Sequence, residues 1–172
     1  GFISQDEAQK LSKWREKVGD DAASILRTAH SMMGIPYMWG GTSPKGVDCS
    51  GFVRTVLYLH DIIIPRNASQ QAKVGKRIQP QDDYADLQPG DLLFFGSKNQ
   101  DGSPKRVVHV GISLGGCRFI HSLGYVHTGS FNPLDADYDE YERNRFLFAA
   151  RILPYVNQDT QILTTDNISL YQ

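Results

Sequence analysis

The chain has 172 residues, 40% hydrophobic and 22% charged, which suits one soluble domain with a real core. Eighteen basic side chains balance 19 acidic ones, so there is no electrostatic footprint for nucleic acid or an anionic membrane surface. No apolar run approaches the roughly 20 residues needed to cross a bilayer, and the sequence begins at Gly1 rather than Met, as a processed or trimmed chain would.

In chain order, residues 5–17 read as a polar helix. Asp20 or Asp21 can cap a second helix whose apolar side is Ala22, Ile25, Leu26, Ala29, Met32 and Met33. Gly34 and Pro36 end it. Pro36-Tyr37-Met38-Trp39-Gly40-Gly41 is then extended and enters a flexible turn, with two aromatics able to wall a groove. Asp48 fits an N-cap, placing Cys49 in the first turn of a helix that buries Phe52, Val53, Val56, Leu57 and Leu59. Asn67 or Ser69 caps a short helix, and residues 76–90 read as a surface loop.

The period then changes. Leu92–Phe95 is a buried strand, Val107–Leu114 a second, and Arg118–Ser122 returns from a turn at Gly115-Gly116. Residues 131–144 form an acidic, aromatic excursion, and 145–153 a last strand. Helices first and strands afterwards predict an α+β fold, with helices packed on an antiparallel sheet.

Two cysteines, Cys49 and Cys117, are too few for a disulfide scaffold, and no spacing suggests zinc. A single disulfide between them is the bland alternative. The other reading makes Cys49 a nucleophile, because a helix N-terminus favours a thiolate and supplies N–H groups for an oxyanion. Such a thiol needs a base, and the base needs an orienting group. His109, in an otherwise apolar strand, is the candidate base, and His121 the candidate orienting residue. Strand parity tests the pair: a two-residue turn at Gly115-Gly116 puts the imidazoles on opposite faces. A three-residue turn or a bulge pairs Gly111 with His121 and puts both imidazoles on one face.

The pieces Pro36–Gly41, Asp48-Cys49-Ser50-Gly51-Phe52, Pro65-Arg66, Leu87–Leu92, His109-Val110-Gly111-Ile112 and Ile120-His121-Ser122 together resemble the NlpC family of bacterial cell-wall cysteine peptidases. The resemblance spans about residues 20–153. It implies a papain-like core with the nucleophile on a helix and both histidines on the sheet. It also implies hydrolysis of the amide between γ-D-glutamate and a diamino acid, meso-diaminopimelate or lysine, in peptidoglycan stem peptides or muropeptides.

On that model Cys49 is the nucleophile, His109 the base and His121 its orienting partner. Tyr37 lends its hydroxyl to the oxyanion, and Tyr37, Trp39, Asp48, Ser50 and Ser69 contact substrate. Ser69 stands one place beyond the serine of many relatives. Arg66 reads as a structural ion pair. The resemblance divides the chain into an N-terminal linker or helix (1–19), a catalytic domain (20–154) and a C-terminal extension (155–172). It implies no metal or organic cofactor, since thiolate chemistry supplies the nucleophile. An upstream SH3-like domain, found in some relatives, has no counterpart in these residues.

The expected compartment is the periplasm, cell envelope or exterior, with cytoplasmic muropeptide recycling as the alternative. Two competing readings are a papain-like amidase or acyltransferase for another acyl group, and a non-catalytic wall-binding module. The second should have lost Cys49 or His109, and both are present.

Overall fold

The computed structural model describes Ser4 and residues 8–168. The elements are helices α1 (Leu11–Arg15) and α2 (Ala22–Ser31), a two-residue ribbon of β1 (Thr42–Ser43) and β2 (Gly46–Val47), then helices α3 (Cys49–Tyr58) and α4 (Ala68–Gln71). Strands β3 (Lys76–Ile78), β4 (Leu92–Lys98), β5 (Pro104–Gly115), β6 (Arg118–Leu123) and β7 (Tyr125–Ser130) follow, then helix α5 (Glu140–Arg145) and strand β8 (Phe146–Arg151). The main sheet is antiparallel at every pairing, in the order β3-β8-β4-β5-β6-β7. The α+β expectation holds, with the histidines on β5 and β6.

Alternation along the strands makes two cores. Leu92, Phe94, Val110, Ile112 and Ile120 face α2 and α3, meeting Ile25, Phe52, Val53 and Val56. Leu93, Phe95 and Phe119 face the other way, onto Phe131 and Phe146. The odd-numbered His109 and His121 share this second face: His109 pairs with Phe95, and the Phe119 ring meets His121 edge-on at 5.1 Å. The body of α3 packs on the first face, while the histidine rings pack among the aromatics of the second.

The hairpin solves the parity problem with a bulge. Ser113 pairs with Phe119 and Gly115 with Arg118, leaving Leu114 unpaired. Gly111 stands opposite His121 as the one-face arrangement requires.

Several expectations are corrected. Residues 76–78 leave the expected surface loop to form an edge strand against β8; their two exposed charges hide the strand signal. Strand β7 was unforeseen, and the 131–144 excursion contains α5, capped by Asp139 through Glu142 N–H. The Gly40-Gly41 turn leads into a small ribbon, Thr42–Ser43 against Gly46–Val47. Beyond these expectations, the segment after Pro154 packs back on the domain: Ile162 is fully buried, Leu163 bridges Ile63, and Thr165 donates to Asp61 at 2.6 Å. The expected helix over 5–17 is seen only as α1, and residues 5–7 lie outside the described residues.

Candidate active site

The extended segment before the glycines is tied down at both sides. Tyr37 N–H donates to Gly124 O at 2.8 Å, and Met38 N–H to Val47 O at 3.1 Å. Gly40 adopts φ +75°, a conformation glycine takes without strain, and its N–H donates to Asp48 Oδ2 at 3.0 Å. Asp48 Oδ1 accepts from Gly51 N–H at 2.6 Å, capping α3 and fixing Cys49 as its first residue.

Gly51 is required by contact rather than conformation. A Cβ there would stand 2.0 Å from Gly41 O. Gly51→Ala is therefore expected to cost about 2 kcal/mol or more, from overpacking against backbone. Urea denaturation measures the loss, and activity should fall with it because the cleft wall shifts.

A cleft of about 610 Å³ opens at this point. Tyr37, Trp39, Asp48, Cys49, Ser50 and Ser69 all line it, so the structure gathers six of the eight site residues read from sequence. Trp39 is 89% exposed and stands as a free wall. The opposite side is formed by Arg106, Val107 and Val108 of β5, which the sequence did not suggest. Arg66 also lines the cleft and clamps its base. The guanidinium meets Asp48 Oδ2 at 2.6 Å and Oδ1 at 3.0 Å, and donates to Ser50 Oγ at 2.9 Å. The expected ion pair is there, in two-pronged form.

His109 and His121 do not line the cleft. They are buried behind it, joined by a 2.9 Å hydrogen bond between His109 Nε2 and His121 Nδ1. The link to the cysteine is the next residue, Val110, whose backbone N–H points at the Cys49 sulfur together with those of Ser50 and Cys49 itself.

The electrostatics correct one expectation. Burial pushes the Cys49 thiol up and the Asp48 carboxylate adds to this; the three N–H groups pull the other way without prevailing. Burial takes His109 down to about 3, helped by Arg145 and His127. His121 falls to about 2, by burial first and then by His109, His127 and Arg145. Both shifts favour the uncharged forms, a protonated Cys49 thiol and an unprotonated His109 imidazole. A helix N-terminus favours a thiolate, but here desolvation and the capping carboxylate outweigh it. Burial, Cys49 and Asp48 hold the Tyr37 phenol protonated against the opposing Arg66, which keeps it a donor. Both cysteines are free thiols, so the disulfide alternative does not hold.

His109, His121 and Glu142 offer three ligand atoms within 4.8 Å. The two nitrogens at 2.9 Å are closer than the roughly 3.3 Å that tetrahedral zinc imposes at N–Zn distances of about 2.0–2.1 Å. The spacing is that of a shared proton.

Residues 34–146 match the NlpC/P60 family over more than half the chain. The chain belongs to the NlpC/P60 family. A relative from Bacillus subtilis (strain 168), a gamma-D-glutamyl-L-lysine dipeptidyl-peptidase, is 38% identical over 121 residues, or 70% of this chain and 37% of its own length. The crystal structure of an NlpC/P60 family protein from Bacillus cereus superposes with a TM-score of 0.65 at 31% identity, covering 78% of this chain and 41% of that one. The NlpC/p60 domain of the peptidoglycan hydrolase SagA gives 0.60 at 32% identity, covering 77% and 99%. This NlpC/P60 chain thus spans about a third of the length of the curated relatives it matches first. The papain-like fold expected from the motifs is the family's fold. Among the described residues no helix is long and apolar enough to cross a membrane.

Proposed function

We propose that this chain is a cysteine peptidase that hydrolyses the amide between γ-D-glutamate and a diamino acid in peptidoglycan stem peptides. One observation carries the reading: a cleft with Cys49 at a helix start, its sulfur beside Val110 N–H and one residue from a buried, hydrogen-bonded His109–His121 pair. The dipeptidyl-peptidase and hydrolase names of the relatives point to the same bond and polymer.

Cys49 Sγ attacks the γ-carbonyl carbon as its proton passes to His109 Nδ1, the nitrogen not engaged by His121. The new oxyanion accepts from the Cys49 N–H and the Tyr37 hydroxyl. Collapse breaks the C–N bond, the diamino acid's amine leaves with the proton from His109, and water then cleaves the thioester. His121 acts by accepting the His109 Nε2–H, which fixes the tautomer. These steps draw on no cofactor. Trp39 walls the peptide, and Ser69, on the exposed rim, is the outermost contact. Asp48 and Ser50 face the cleft already engaged by Arg66, so they meet substrate as a pre-charged cluster rather than as free groups. The site of action is the cell envelope.

The test uses L-Ala-γ-D-Glu-meso-diaminopimelate and its L-Lys counterpart, with products read by mass spectrometry. Release of L-Ala-D-Glu from at least one is expected. Cleavage at another bond, or at neither peptide, would overturn the substrate assignment. Alkylation by iodoacetamide reads the thiol separately: Cys49 should label at neutral pH in a manner that His109→Ala slows by about tenfold or more.

A further inference from the structure

Glu142 takes no part in the steps above, yet it is fully buried on the histidine face of the sheet. Its Oε1 accepts from Arg145 Nη1 at 3.1 Å, and its Oε2 has no hydrogen-bond partner. A buried polar atom left bare is costly, and the ion pair with Arg145 satisfies only one of the two carboxylate oxygens. The Oε1 stands 3.9 Å from His109 Nε2, too far to take its hydrogen bond and near enough for a strong charge interaction in a dry site.

We propose that Glu142 is a positioning residue: it supplies the counter-charge that lets His109 hold the thiol's proton. The inference rests on the reading of His109 as the base.

His109 needs such help. Burial, Arg145 and His127 all drive its proton off, so the transfer from Cys49 onto Nδ1 is uphill unless an anion faces the ring. Each element packed around the pair contributes groups. From β6 comes neutral His121. From β7 comes His127, with its ring 4.4 Å from that of His121. From α5 come Glu142 and Arg145, and from its cap Asp139, whose Oδ2 stands 3.8 Å from His121 Nε2. Across the sheet, Asp48 faces the Cys49 thiol. Of the two carboxylates beside the imidazoles, Glu142 is the one on the base.

The counter-charge is itself switchable. Burial pushes Glu142 up to about 7; Arg145 opposes this and Asp139 adds to it. Above neutrality Glu142 is an anion and stabilises the imidazolium. Below it, Glu142 takes a proton and the help is lost.

The experiment compares Glu142→Gln with the parent chain across pH 5.5 to 8, reading Cys49 alkylation rate and peptide kcat/KM. At pH 8 the variant should be about tenfold slower, one pKa unit's worth of lost stabilisation. Near pH 5.5 the two should converge, since protonated Glu142 resembles Gln; KM should stay within about twofold, as Glu142 does not line the cleft. A ratio that stays constant with pH would reduce Glu142 to a structural role and overturn the proposal. If Glu142→Gln does not fold, Glu142→Asp decides: it keeps the charge on a shorter arm and should move the acid limb of alkylation, and an unmoved limb overturns the idea. Alkylation needs no substrate, so a failure of the peptide assignment leaves this test intact. Conversely, alkylation indifferent to His109→Ala shows that the base reading itself has failed.

Discussion

Cys49→Ala is expected to lower kcat/KM on γ-D-glutamyl peptides by about 10⁴-fold or more, while leaving the fold in place. In the proposed mechanism the Cys49 sulfur is the atom that forms the acyl-enzyme. Removing it leaves the oxyanion donors and binding surfaces to act on water alone, a residual effect in other nucleophilic hydrolases. The side chain is small and 8% exposed, and none of the contacts that cap α3 runs through it: those use the Asp48 carboxylate and the Gly51 N–H. The melting temperature should therefore move by only a few degrees. Substrate peptide should still bind, which calorimetry on the inert variant would show. His109→Ala should fall nearly as far, and the double variant little further, because residues that act as a unit lose their contributions together. Turnover of Cys49→Ala at the parent rate would end the thiol mechanism.

The site was legible where a rule of period or parity links residues. Asp48 before Cys49 before an apolar stripe dictates a capped helix with the thiol in its first turn, and that is the geometry found. Strand alternation required Gly111 opposite His121 if two imidazoles were to meet, and the Leu114 bulge delivers it. The remainder depends on tertiary burial, which charge and period conceal. Glu142 sits in an acidic, tyrosine-rich stretch that reads as solvent-facing; only the packing of α5 under the sheet makes it a buried anion. His127 belongs to a strand whose Gly129 and polar neighbours dilute its pattern. The thiol's character was misjudged for the same reason. A helix start is visible in sequence, whereas the burial of the sulfur that outweighs it is a property of the folded chain.

The second large effect is on stability. Asp48 holds together three parts of the site: it caps α3 at Gly51, accepts from Gly40 in the glycine turn, and pairs with Arg66, which in turn holds Ser50. Asp48→Ala removes a cap typically worth about 1 kcal/mol and strands a partly buried guanidinium, for which losses of about 3 kcal/mol are usual when the pair is well buried. With the Arg66 side chain 30% exposed to water, the combined cost is expected at about 2–3 kcal/mol. Chemical denaturation measures it as a lower midpoint with an unchanged slope. The parent chain should show the same dependence through pH. Burial alone would raise the Asp48 carboxyl, but Arg66 and the two N–H donors override it and hold the group below the usual carboxylate range. A carboxyl depressed in the folded state stabilises fully above its unfolded pKa of about 3.9 and loses that contribution as pH falls through the folded value. The stability difference between parent and Asp48→Ala should therefore be constant near neutrality and shrink below about pH 4. A difference that persists undiminished in acid would mean that the ion pair and cap do not hold this corner together. The thiol would then owe its position to the glycine contacts alone, chiefly the close approach of Gly51 to Gly41.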